Sequence, residues 1–191
     1  MRITKREPKR GDIRLIWTDL EMSGLNPDTD MVLEAAFVIT DGNLREIAES
    51  PSWVFHQPDS VLDNMDDWNR HTHGNTGLIA RSRASELTVA AGEEEILRFL
   101  REHVRPGESP MCGNSIGQDR RFMARHLPRV EEFFHYRNFD VSTFKIAAYL
   151  YMTHALTPKK AESLHRALDD IKDSIDEMRR YARLLWPDAG I

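Results

Sequence analysis

The chain contains a single cysteine, Cys112, in 191 residues. One thiol excludes an internal disulfide and a zinc site built from thiolates alone. A reducing, cytoplasmic setting is therefore the default expectation. No apolar run approaches the ~20 residues of a membrane span. No short apolar stretch follows the basic start, so no secretory signal is expected. Positive charge is not in excess either: 26 Lys and Arg stand against 31 Asp and Glu, a net charge of −5. Proteins that hold long nucleic acid neutralise many phosphates with a basic surface. A nucleic-acid ligand here is thus expected to be short, or to meet a local basic patch. Internal repeats, low-complexity segments and linkers are absent too. What remains is a mixture of 40% apolar and 30% charged residues that suits one globular domain over 1–191. Residues 1–11 are read as a disordered basic tail, because Met1 to Arg10 carries five Lys or Arg and one Glu; a basic arm is the second reading.

The informative stretch is Asp19-Leu20-Glu21, at the acidic end of an apolar run that starts at Ile13. Strand side chains alternate, so Asp19 and Glu21 share a face. Two adjacent carboxylates repel unless a cation lies between them, and oxygen-only ligands suit Mg²⁺ or Mn²⁺. Taken alone, the pair also fits a strand that simply runs out into a polar loop. Turn formers from Ser23 to Asp28 close this strand. Met31 to Thr40 reads as a central strand, and Asp41-Gly42-Asn43 as a hairpin turn into an antiparallel third strand, about Ala48 to Gln57. Glu34, inside the second strand, reads as a buried acid satisfied by nearby donors.

Pro58 to Gly77 reads as a helix-poor polar segment. His71 and His73 form an H-x-H pair there, His71 is expected in a solvated loop, and Trp68 is compatible with the core. Thr88 to Val104 has helical spacing. Ser109 to Asn114 reads as a strand into a loop, and Ser115 to Leu127 as a helix. On that helix Asp119 shares a face with Phe122, Met123 and His126. It reads equally as a helix cap or as an inward acid that needs a partner or a metal. Asn138 to Val141 reads as a strand. Ser142 to His154 reads as a helix capped by Ser142, and about Leu164 to Trp186 as a long amphipathic helix. Three meandering strands followed by alternating helix and strand predict an α/β fold with a mixed central sheet flanked by helices.

The last helix opens with His165-Arg166-Ala167-Leu168-Asp169-Asp170. With D-x-E early, Asp119 in the middle and H-x-A-x-x-D late, the chain resembles the DEDDh 3′–5′ exonucleases, which have an RNase H-like fold. More specifically it is similar to the oligoribonuclease family. The similarity rests on the words from Trp17 to Leu25, Met65 to Asn69, Cys112 to Phe122, His135 to Arg137 and Asp140 to Thr143. It extends over nearly the whole chain, about Leu15 to Trp186. Thr18 departs from the family in standing where an apolar residue is more usual, and Tyr149 to Lys160 has no close counterpart.

The resemblance implies a single exonuclease domain. Asp19, Glu21, Asp119 and Asp170 are expected to hold two divalent ions, Mg²⁺ or Mn²⁺, with His165 as general base. Asp169 competes with Asp170, since it lies four residues from His165; the family's spacing selects Asp170. Leu25, Trp68 and His73 match base contacts. Ser115, Arg137, Ser142 and Thr143 match a cap over the substrate's 5′ phosphate, and Tyr136 matches a residue lent by a partner subunit of a homodimer. The implied activity is removal of 5′-mononucleotides from the 3′ end of short oligoribonucleotides, dinucleotides above all, with no membrane partner. Two other readings stand beside it. One is a DEDDh exonuclease acting on long single strands or proofreading DNA. The other is a non-catalytic RNA-binding module on the same fold.

Overall fold

The computed structural model describes residues 9–151 and 166–189. The first eight residues of the expected tail lie outside the described residues. Its last two, Arg10 and Gly11, enter a single 3-10 turn, Arg10–Asp12, tied to the hairpin by the Gly42 amide, which donates to the Arg10 carbonyl (3.1 Å).

Strands β1 (Arg14–Met22), β2 (Val32–Asp41) and β3 (Glu46–Glu49) form an antiparallel meander, and β4 (Trp53–Val54) adds to β2 on the same edge as β3. Helices α1 (Asp59–Leu62), α2 (Asp67–Asn75), α3 (Leu78–Ala84) and α4 (Val89–His103) follow. Then come β5 (Met111–Gly113), α5 (Gly117–His126), α6 (Pro128–Glu131), β6 (Asn138–Asp140), α7 (Val141–Tyr151) and α8 (Ala167–Leu185). The sheet order is β3-β2-β1-β5-β6, and β5 and β6 run parallel to β1, giving the mixed sheet read from the sequence. No helix among the described residues is long and apolar enough to cross a membrane.

The two faces of β1 meet different layers. Ile16 and Leu20 pack against Ile96, Leu97 and Leu100 of α4 and Phe122 and Met123 of α5. Trp17 packs on the opposite side with Val141 and Ala148 of α7 and Ile171, Ile175 and Met178 of α8. Each such fully buried side chain contributes about 1.5–3 kcal/mol. The Trp17 indole is not left unsatisfied, because Nε1 donates to Thr40 Oγ1 at 2.9 Å. Period-two alternation then carries Asp19 and Glu21 to the α8 side. Gly113 lets β5 approach closely: a Cβ there would sit 2.9 Å from the Thr18 carbonyl oxygen.

Three expectations are corrected. Pro58 to Gly77 is not helix-poor. It contains α1 and α2, and α3 follows at once. Asp66 caps α2 by accepting from the Asn69 amide (2.8 Å), and Leu62, Met65 and Leu78 bury themselves against Leu33. Tertiary packing thus supplies what helical periodicity lacks. The third strand is split at Pro51, which has no amide to offer a ladder. Ser50 takes over there, its Oγ accepting from the Phe37 amide at 2.9 Å. Finally, α7 is capped by Asp140 and not by Ser142: Asp140 Oδ1 accepts from the Ser142 amide (2.9 Å), which leaves the Ser142 hydroxyl for other partners.

Candidate active site

Asp19, Glu21 and Asp170 each place a carboxylate oxygen within 4.8 Å of the others. The first two come from the C-terminal end of β1. Asp170 comes from the first turn of α8, where its amide donates to the Arg166 carbonyl (3.0 Å). Asp170, and not Asp169, joins the cluster; Asp169 lines a neighbouring cavity with Glu34, Arg81, Arg166 and Lys172. The α8 N-terminus favours negative charge nearby, and its stripe of Ile171, Ile175 and Met178 docks the helix over β1.

Asp119 stands beside this cluster and reaches it from the other face of the sheet. Strand β5 pairs only with Ile16 and Trp17 of β1, so the Leu20 amide further along has no strand partner on that side. Asp119 Oδ1 accepts it at 2.9 Å. The acid is buried with Phe122 and Met123, as its helical spacing predicts. It is thus neither a cap for its own helix nor a member of the three-carboxylate cluster, but it faces Asp19 and Glu21 closely enough to repel them.

Electrostatics mark the site. Burial, then the charges of Asp119, Glu21 and Asp170, hold the Asp19 carboxyl well above the usual range. Burial, then Asp170, Glu34 and Asp119, push Glu21 up to about 8, with Arg81 pulling it back. Burial raises Asp119 to about 7, against the Leu20 amide bond that lowers it. Among the described residues neither Asp19 nor Glu21 has an ion pair with Lys or Arg. Carboxylates pressed together out of water must take up protons or bind a cation. A hard divalent ion fits this all-oxygen donor set.

The remaining residues divide into groups. His165 lies outside the described residues. Leu25, at 74% exposure, and Trp68, at 61%, project apolar surface into solvent beyond the cluster, so Trp68 is not core. His71 is exposed on α2, not in a loop. His73 is only 1% exposed; its Nε2 meets the Met22 carbonyl at 2.9 Å and its Nδ1 lies 3.9 Å from Glu21. It stands behind the acids rather than out with Leu25 and Trp68. Ser115 and Ser142 come together, with their Oγ atoms 3.1 Å apart, and Thr143 follows on the first turn of α7. Tyr136 and Arg137 do not join them. Both precede β6, whereas Ser115 and Ser142 follow the ends of β5 and β6. The two groups therefore lie at opposite ends of this strand pair, on the order of 10 Å apart along the strands. Tyr136 is 74% exposed, with the Arg137 guanidinium 5.3 Å above its ring. Arg120 braces this turn, donating to the His135 carbonyl (3.2 Å) and Asn138 Oδ1 (2.8 Å).

Sequence reading missed Asn114 and Glu177. Both belong to a buried network beneath Ser142. The available signal was Glu177 itself, an acid seven residues after Asp170 on a helix face otherwise occupied by Ser174, Met178 and Tyr181.

The exonuclease family's sequence pattern matches residues 16–178. The chain is 53% identical over 167 residues to an oligoribonuclease from Thiobacillus denitrificans, spanning 87% of this chain and 92% of that one. It is 51% identical over 168 residues to an oligoribonuclease from Marinobacter nauticus, spanning 88% and 93%. In fold it is similar to Escherichia coli exonuclease I, solved with zinc and single-stranded DNA, with a TM-score of 0.67 at 17% identity. That likeness covers 92% of this chain but 41% of the longer protein, so the chain spans about two fifths of its length. The chain belongs to the exonuclease family of hydrolases and, within it, to the oligoribonucleases.

Proposed function

We propose that the protein is a cytoplasmic 3′–5′ exoribonuclease that shortens oligoribonucleotides of a few residues, dinucleotides above all, to 5′-mononucleotides. The convergence of Asp19, Glu21 and Asp170 within 4.8 Å carries this reading. These acids, with Asp119 beside them, are the ligands of two divalent ions, Mg²⁺ or Mn²⁺. When bound, such ions offset the acids' charge and stabilise the negative charge that builds on phosphoryl oxygens during in-line displacement. His165, two residues before α8 in sequence, takes the proton from the attacking water, since imidazole titrates near neutrality. Trp68 stacks on a base, which every base permits through its π-face, and Leu25 makes apolar contact with the bases. His73 supports the same pocket from behind, beside Glu21.

Ser115, Ser142 and Thr143 form the cap over the 5′ phosphate, and a longer strand would collide with it. The position of Tyr136 and Arg137 at the far end of the β5–β6 pair supports a homodimer in which each chain lends both residues to its partner's site. Arginine's planar fork of donors suits phosphate. The test is release of nucleotides from a dinucleotide and from a seven-mer with Mg²⁺ or Mn²⁺. The expected result is faster turnover of the dinucleotide, blocked by chelator and lost in His165→Ala and Asp170→Ala but not in Asp169→Ala. Preference for the seven-mer overturns the short-substrate reading. No release from either overturns the catalytic one.

A further inference from the structure

The network beneath the two serines has a direction that can be read from its donors and acceptors. Asn114 Nδ2 donates to Ser174 Oγ at 2.9 Å and to Glu177 Oε2 at 3.0 Å. Glu177 also accepts from the Tyr181 hydroxyl at 3.3 Å, whose own ionisation is pushed up to about 12 by burial first and the Glu177 charge second. An ionised carboxylate only accepts. Glu177 therefore dictates which end of the Asn114 amide faces it, and the amide oxygen must turn the other way. That oxygen meets Ser142 Oγ at 3.2 Å. An amide oxygen also only accepts, so the Ser142 hydroxyl proton is committed to Asn114. Ser142 Oγ then serves as acceptor, for the Ser115 amide at 2.9 Å and for Ser115 Oγ at 3.1 Å.

The Ser115 backbone is held to this task. Its φ is +52°, a left-handed conformation that is unfavourable for a residue with a Cβ. The Ser115 amide is shared with Asp140 Oδ1 (2.9 Å), the same oxygen that caps α7. Glu177, Ser174 and Asp170 lie on one helix, so the element that supplies a carboxylate to the acidic cluster also anchors this network.

We propose that Asn114 and Glu177 are positioning residues that set the hydrogen-bond polarity of the serine pair, so that of the two serines only Ser115 donates to a substrate's 5′ phosphate monoester, while Ser142 is a fixed acceptor for Ser115. This rests on the phosphate-cap reading above. In the resting state the Ser115 proton lies on Ser142. An arriving phosphate takes that proton's hydrogen bond, and Ser142 keeps its own on Asn114. A phosphate monoester is mainly the dianion at neutral pH and so mainly accepts, and the two serines have unequal roles.

The experiment compares a 5′-phosphorylated dinucleotide with the same dinucleotide bearing a 5′ hydroxyl, in the full chain and in Ser115→Ala, Ser142→Ala, Glu177→Gln and the Ser115→Ala/Glu177→Gln double variant. Ser115→Ala is expected to raise KM for the phosphorylated substrate roughly tenfold or more, as for a lost bond to a charged group, with kcat little changed. Ser142→Ala is expected to raise it by about twofold, the effect of a lost neutral bond at the low end. Each effect is read as the ratio of KM for the phosphorylated substrate to KM for the 5′-hydroxyl substrate, so that any general loss of binding cancels. Glu177→Gln lets the Asn114 amide take either orientation, which frees the Ser142 proton. In that background Ser115→Ala is expected to matter much less, a non-additivity that general damage to the fold does not produce. A Ser142→Ala effect equal to or larger than that of Ser115→Ala overturns the proposal. So does strict additivity of Ser115→Ala with Glu177→Gln. If the unaltered chain does not distinguish the two substrates, the phosphate cap fails and this inference fails with it.

Discussion

Glu21 and Glu34 face each other across the β1–β2 register, are both nearly buried, and have opposite fates. Glu34 is satisfied: Arg81 grips both its oxygens (3.0 and 3.3 Å) and Ser52 donates to one of them. Among the described residues Glu21 has His73 at 3.9 Å on one side and, on the other, the charges of Asp170, Glu34 and Asp119, which outweigh the pull of Arg81. Identical side chains on paired strands thus differ because α3 supplies a guanidinium to one and α8 supplies another acid to the other. Burial alone does not mark a functional carboxylate. Burial among like charges does, because such a group is stable only when protonated or when a cation arrives.

The largest effect expected from this contrast is on turnover. Asp19→Asn or Glu21→Gln should lower kcat on the order of 10³-fold, as loss of a transition-state electrostatic partner does. Thermal stability without metal should stay level or rise, because a buried repulsion is removed. A melt and a turnover assay on the same preparation check this, and a fall in stability with activity retained breaks the contrast.

Arg81→Ala should do the reverse. It strands Glu34 in the interior, and breaking a buried pair is costly; because Arg81 is half exposed the loss should be nearer about 2 kcal/mol. That corresponds to a fall of roughly 4–8 °C in Tm, with turnover per folded molecule changed only a few-fold. Lost turnover at unchanged Tm would reassign Glu34 to the chemistry.

The pH dependence sharpens the same point. Glu21 is raised from 4.5 to about 8 and Asp119 from 3.8 to about 7. Between the unfolded and folded values the native state keeps protons that the unfolded chain has released. Stability therefore falls as pH rises from about 5 to about 8. The metal-free protein should melt several degrees lower at the upper end of that window. Added Mn²⁺ or Mg²⁺ should restore Tm there and do little below it, since ligands binding only the native state stabilise it. A metal-free Tm that rises with pH would show that the acids are not pressed together.

The smallest stability effect belongs to the exposed rim. Trp68→Ala should change stability by about 0.5 kcal/mol or less, yet raise KM for short RNA roughly tenfold, the low end of base stacking on an aromatic ring. Differential melts and initial-rate titrations separate the two.

Much of this molecule is written in local pattern. The alternation through Trp17, Asp19 and Glu21 sets which face of β1 is acidic. The apolar spacing of Ile171, Ile175 and Met178 defines α8, and the i, i+3, i+4 grouping of Asp119, Phe122 and Met123 points that acid inward. The helices between Pro58 and Gly77 were not legible, because α2 is held by the Asp66 cap and by the packing of Leu62 and Met65 against Leu33, not by an apolar stripe of its own. Nor was the cap of α7, where Asp140 and Ser142 are both sound candidates and only the bond to Asn114 shows which hydroxyl is engaged elsewhere.

By itself the sequence determined the main strand segments, the long last helix and the acidic candidates, since each depends on neighbours a few residues away. Tertiary structure alone decided two things: that Arg81 satisfies Glu34, and that Tyr136 and Arg137 stand away from Ser115. The reason is physical. A carboxylate's state is set by the charges and donors within a few ångströms of it, and here those arrive from strands and helices far apart along the chain.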